Sequence, residues 1–145
     1  MIGITITPNQ IDYSKIITPE TVAKLIVGEC VILQGMAVEL APIKDGQLKN
    51  SITWATSKEK GGLNEAGAKT PHDKAIDAPN DDDTGYVGSN LEYAGPVEFG
   101  IKDKPNYPRQ PYLRPAVDYS KKVRETRCKG VISAAIKQAY KPGAQ

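Results

Sequence analysis

Residues 84–116 read TGYVGSNLEYAGPVEFGIKDKPNYPRQPYLRPA, and their composition decides what fold the chain can take. The stretch holds Tyr86, Tyr93, Phe99, Tyr107 and Tyr112, most of the aromatics of the chain, together with Gly85, Gly88, Gly95 and Gly100. Five prolines lie between Pro96 and Pro115. Aromatic rings bury large areas, while Gly and Pro set backbone direction. The expectation is a set of short extended pieces and tight turns that ends where a helix begins.

Upstream, Gly85 to Asn90 is a strand candidate, and Ser51 to Ser57 (SITWATS) is another. In the latter, Ile52 and Trp54 alternate with Ser51 and Thr53, the pattern of a half-buried strand. Antiparallel pairing of the two makes a long β-hairpin whose tip is residues 58–84. That loop is polar, carries Gly61, Gly62, Gly67, Pro71 and Pro79, and ends in Asp81, Asp82 and Asp83. A segment of this length without apolar periodicity reads as a functional loop or a mobile arm.

Two helices flank these strands. Thr18-Pro19-Glu20 is a start signal: a capping hydroxyl, a proline suited to the first turn and an acid that complements the dipole. Apolar residues recur at helical spacing to Leu40, and Pro42 stops the helix, so it spans 18–41. Val27, Val31 and Val38 lie off the main apolar stripe, which implies cover on more than one side. Gly28 and Gly35 each cost about 1 kcal/mol relative to Ala inside a helix, so close packing is expected there. The second helix, 115–140, starts at Arg114-Pro115 and ends before Pro142-Gly143. Near the N-terminus, Ile2 to Thr7 alternates Ile and Thr as a short strand that must join its own sheet or a neighbour's. The fold class is therefore α+β: an antiparallel sheet with a long β-hairpin, packed by a long N-terminal helix and a C-terminal helix.

With 145 residues, 39% of them hydrophobic and 25% charged, the chain reads as a single soluble domain, 1–145. Its net charge of +2 is too small for a dedicated nucleic-acid binder. No run is read as approaching the roughly 18 apolar residues that cross a bilayer, no signal peptide is recognised, and no membrane partner is expected. Synthesis in a reducing cytoplasm follows, with Cys30 and Cys128 reduced.

Catalysis has few candidates. His72 is the single histidine, the cysteines have no close Cys or His partner in sequence, and the glycines of residues 85–95 are not followed by the Lys-Ser/Thr of a phosphate loop. Neither an enzyme nor a metal or cofactor site is expected. Asp81, Asp82 and Asp83 lack the donor spacing of a calcium loop and read as solvated or partner-facing. Glu98 lies between Val97 and Phe99, and Arg114 between Leu113 and Pro115. Charges in such surroundings are normally paired. Each should meet a charged or hydrogen-bonding group, the other of the two or one across a subunit boundary; the alternative is two exposed charges beside apolar residues. Lys121, Lys122, Arg124 and Arg127 form a basic stretch that faces DNA, solvent or the acidic loop of a neighbour.

Three segments in order, APIKDGQLKNSI (41–52), VGSNLEYAGPVEFG (87–100) and QPYLRPA (110–116), resemble the signature of the small neck proteins of long-tailed double-stranded-DNA bacteriophages, also called tail-component, tail-completion or head–tail joining proteins. The matching positions are Gly46, Leu48, Ser51, Tyr93, Glu98, Phe99, Gly100, Pro111, Leu113, Arg114 and Pro115. The loop at 58–83 looks longer than is usual, and Ile2 to Thr7 looks added. The resemblance implies a non-catalytic virion protein that forms a ring of six or twelve copies in the neck. Its partners would be the head-side connector or head-closure protein and the tail terminator or tail tube protein, and DNA would pass through without sequence recognition. Ile4, Ile6, Val27, Val31 and the three aspartates are the candidate subunit contacts. The competing readings are a tail terminator ring that caps the tail tube and, from another class, a basic DNA-binding module.

Overall fold

The computed structural model describes residues 16–43, 46–61 and 76–140. The predicted strand at 2–7, with Ile4 and Ile6, lies outside them, as does the centre of the predicted polar loop. The element order is α1 (Pro19–Leu40), α2 (Gln47–Ser51), β1 (Thr53–Thr56), β2 (Gly85–Gly88), α3 (Ala94–Phe99) and α4 (Leu113–Ala139). Two long helices pack on a small antiparallel sheet.

α1 begins as its start signal requires. The Thr18 hydroxyl accepts a hydrogen bond from the Thr21 amide at 3.2 Å, and Pro19 occupies the first turn, where its missing N–H loses nothing. One face lies on the sheet and another on α4, while a third remains outside. Within α1 an 18-residue window is long and apolar enough to cross a membrane, and only 17% of it is buried within the chain. This corrects the sequence reading that no run approaches that length: few charges interrupt the helix. The core helix of a soluble protein passes the same test.

Gly28 and Gly35 also depart from expectation. A Cβ at either would meet nothing within 4 Å, because both sit on the outer face. The close approach occurs at Gly85 instead. A Cβ there would collide with Cys30 Sγ and lie 3.0 Å from Ile26 Cγ2, so this glycine lets β2 lie against α1.

The sheet pairs Thr53 with Gly88, Trp54 with Val87, Ala55 with Tyr86 and Thr56 with Gly85. The hairpin is much shorter than predicted. Ser51 belongs to α2 rather than to β1, and β2 ends at Gly88. β1 is buried at all four positions, not on alternate ones. Its outer edge is covered by the start of the polar loop: the Thr56 amide donates to Glu59 O at 2.7 Å and the Gly61 amide to Trp54 O at 2.8 Å. A Cβ on Gly61 would lie 2.6 Å from the Trp54 ring. The stretch 58–61 is therefore a cover for an otherwise unpaired strand edge, a role that hydropathy does not signal. Ile76 and Pro79, after the undescribed segment, are buried too.

The core joins α1, α2, α3 and α4 through Ala37, Ala41, Leu48, Ile52, Leu91, Ala94, Tyr112 and Ala116. Gly46, at φ 77°, and Gly100, at φ 81°, adopt the positive φ that only glycine holds without strain; Gly46 starts α2 and Gly100 ends α3. The Ser51 hydroxyl donates to Leu48 O at 2.7 Å and lies 2.6 Å from the Ser89 hydroxyl, which ties α2 to the turn after β2. The stretch expected to be extended pieces and turns contains the six-residue helix α3, because residues 94–99 pack Ala94 and Glu98 inward on one face.

Candidate functional site

The carboxylate of Glu98 is 5% exposed and faces the start of α4. It accepts hydrogen bonds from the Tyr112 amide at 2.6 Å, the Leu113 amide at 2.9 Å and the Arg114 amide at 2.9 Å. These are the cap and the first two residues of α4, and the third, Pro115, has no amide to satisfy. The helix dipole favours an anion at this end. Glu98 is therefore the N-terminal cap of α4, supplied from a different helix. The Arg114 side chain points to solvent; its backbone, not its guanidinium, is what meets Glu98. Tyr112 is nearly fully buried beside this junction. Burial, and then the negative charge of Glu98, push its hydroxyl up to about 12.

Phe99, the next residue, is 68% exposed. The burial of this pair is the inverse of their hydropathy. Helical spacing explains it: residues one apart cannot share a face, and the inward place goes to the residue with three donors waiting. Phe99 stands on the surface, next to a loop (102–111) that is exposed throughout.

A second carboxylate joins α1 to α4. Glu29 accepts from Arg124 Nε at 2.9 Å and Nη2 at 2.8 Å, from the Ser120 hydroxyl and from Arg127. Arg127 also donates to Ser120 Oγ at 3.2 Å. Burial pushes the Glu29 carboxyl up, but the hydrogen bonds from Ser120, Arg124 and Arg127 outweigh it and hold the group below its usual range. The adjacent Cys30 thiol is pushed up by burial and then by the charge of Glu29, the opposite of an activated nucleophile. Arg124 and Arg127, candidates for facing DNA, are thus engaged inside the subunit. Lys121 and Lys122 are exposed. Charge alternation along α4 could not reveal this, because the acid that binds the arginines is on the other helix, more than ninety residues away in sequence.

The acidic run is partly structural. Asp82 accepts from the Ser57 hydroxyl at 2.6 Å and lies 3.4 Å from Lys58 Nζ, and the Ser57 hydrogen bond leads in holding its carboxyl below the usual range. It ties residue 82 to the end of β1, although Asp81, Asp82 and Asp83 are all exposed, and Asp83 accepts from the Thr84 hydroxyl at 3.3 Å. Val27 is half-buried near this end of the sheet, and Val31 is 47% exposed. Among the described residues, no group of three or more His, Cys, Asp or Glu is placed to hold a metal ion. The crevices along α1 and α4 are shallow and mostly apolar. What the surface offers is shape, exposed aromatic and aliphatic groups, and separate acidic and basic patches.

The family model described as "Bacteriophage HK97-gp10, putative tail-component" matches residues 20–100, more than half of the chain. The match covers α1 through α3, including the Gly46, Ser51 and Glu98 positions, and stops before α4. No curated protein and no solved structure matches.

Proposed function

The chain belongs to the HK97-gp10-like family of bacteriophage tail components, and from that premise we propose that it is a structural subunit of a homo-oligomeric ring in the phage neck. The ring would join the head-side connector or head-closure protein to the tail terminator or tail tube protein and surround the DNA path. The observation that carries this reading is the apolar surface that one copy leaves uncovered. Phe99 and Ile43 are mostly exposed, and Tyr86 and Tyr119 are about half exposed. Such surface on a water-facing chain marks a protein contact. Heterologous contacts between unlike patches close into rings when the rotation from copy to copy closes. Asp81 and Asp83 on one copy and Lys121 and Lys122 on the next supply charge complementarity for such a contact.

The tail terminator reading shares all these features and differs in its neighbours. The DNA-binding reading is weakened, since two of its four basic residues are engaged by Glu29. Electron microscopy of the purified full chain, alone and beside its phage connector, tests the proposal: closed rings are expected, and Phe99→Ser should reduce them while leaving the subunit folded. A chain that stays monomeric in both settings, or that is missing from mature virions, refutes it.

A further inference from the structure

Lys24, Gly28, Val31, Gly35 and Glu39 recur on α1 at spacings of four, three, four and four, and all five are exposed. They form one stripe along the outer face, about 22 Å long at 1.5 Å per residue. The stripe has a charge at each end, of opposite sign, and a small or apolar middle. Neither Lys24 nor Glu39 enters a salt bridge among the described residues, although Glu20, one turn before Lys24, feels its charge. A side chain at Gly28 or Gly35 would meet nothing within the chain, although glycine there weakens the helix.

We propose that this stripe is a two-fold contact in which α1 of one copy packs antiparallel on α1 of a second copy. The charges choose both occupant and direction. In a register centred between Val31 and Ile32, Lys24 lies across from the partner's Glu39, Gly28 across from the partner's Gly35, and Val31 across from the partner's Ile32. Each pairing occurs twice by symmetry. A parallel pairing would place Lys24 against Lys24 and Glu39 against Glu39, which repel. The two glycines remove the side chains that would hold the helix axes apart, so the backbones approach closely and Val31 and Ile32 pack at the centre. The contact is self-complementary and closes at two copies. It is therefore distinct from the ring contact, which joins unlike surfaces.

The test is sedimentation equilibrium of the full chain, with charge reversals. Alongside any rings, the unaltered chain should show a concentration-dependent dimer step that weakens with salt. Lys24→Glu alone and Glu39→Lys alone each turn two attractive pairs into two repulsive ones and should weaken dimerisation about tenfold. The double reversal should restore it. Gly35→Leu, which has open space within the chain, should abolish dimers while thermal unfolding of the monomer is unchanged or raised. A chain monomeric at all concentrations, or dimers indifferent to both reversals, overturns the proposal. So does binding to phosphatidylcholine vesicles that Val31→Lys abolishes while the chain in solution stays monomeric, since that assigns the stripe to lipid. Rings that form from a chain whose dimerisation is absent or indifferent to both reversals would leave the ring reading standing and refute this one.

Discussion

Glu98 and Glu29 both anchor α4 to another helix, yet their partners differ in kind. Glu98 is surrounded by backbone: three amides at a helix start, no salt bridge among the described residues, almost no solvent. Glu29 is surrounded by side chains, two arginines and a serine, at the partly wet edge of the α1–α4 seam. The first arrangement costs little conformational entropy, because the amides are already fixed by the helix. The second must order two long side chains, and solvent competes for them. The comparison teaches that a buried acid in an apolar stretch need not announce a cationic partner; a helix end serves.

The sharpest way to break the comparison is to remove Glu98. Glu98→Ala strips the cap from three amides at once and should lower stability by about 3 kcal/mol, since hydrogen bonds to charged groups contribute about 1.5–3 kcal/mol each and water recovers part. Glu98→Gln, which keeps one acceptor oxygen, should lose about half as much. Denaturant unfolding measures both, and an unchanged stability for Glu98→Gln would mean that the negative charge contributes nothing. Next comes the other hold on α1, beside Glu29. Gly85→Ala forces a methyl into Cys30 and should cost about 1–3 kcal/mol. Pairing it with Cys30→Ala should recover most of that, and a double-mutant cycle with no coupling would deny the contact.

Glu29 should prove the weaker anchor. Arg127→Ala is expected to cost about 1–2 kcal/mol and the more exposed Arg124→Ala less than about 1 kcal/mol. The pH dependence carries the same signature. The folded carboxyl of Glu29 sits below its ordinary value of 4.5, so its stabilisation is present above that value and is lost as the pH falls through the folded one. Glu29→Gln should flatten the acid side of the stability curve; an unchanged curve would show that the arginines add nothing. The smallest effect has the opposite sign. Gly28→Ala and Gly35→Ala should each stabilise the monomer, by up to about 1 kcal/mol, because better helix formers replace glycine in open space. Destabilisation in thermal unfolding would mean that something packs there within one chain.

Much of this was legible beforehand. The Thr18-Pro19-Glu20 signal and Pro42 bound α1 to within a residue or two of its observed ends, because caps and prolines act through local backbone chemistry. The antiparallel partnership of the two strand segments also emerged from alternation and turn residues. The brief helices α2 and α3 did not, since five or six residues carry too little periodicity, and α4 was placed two residues late because the signal at Pro115 masks a cap that comes from Glu98. The basic stretch on α4 looked like one patch, and no linear reading could split it into arginines held by Glu29 and lysines left to solvent.

The linear order of residues alone determined where the long helices run, which segments pair and which phage family the pattern belongs to. All of these depend on interactions within a few residues or on motif order. Only the tertiary structure decided that Glu98 goes in while Phe99 stays out, that the glycines of α1 face open space, and which basic residues remain available. Those outcomes depend on which donors and surfaces arrive from distant parts of the chain, and burial is set by what an atom meets, not by what it is.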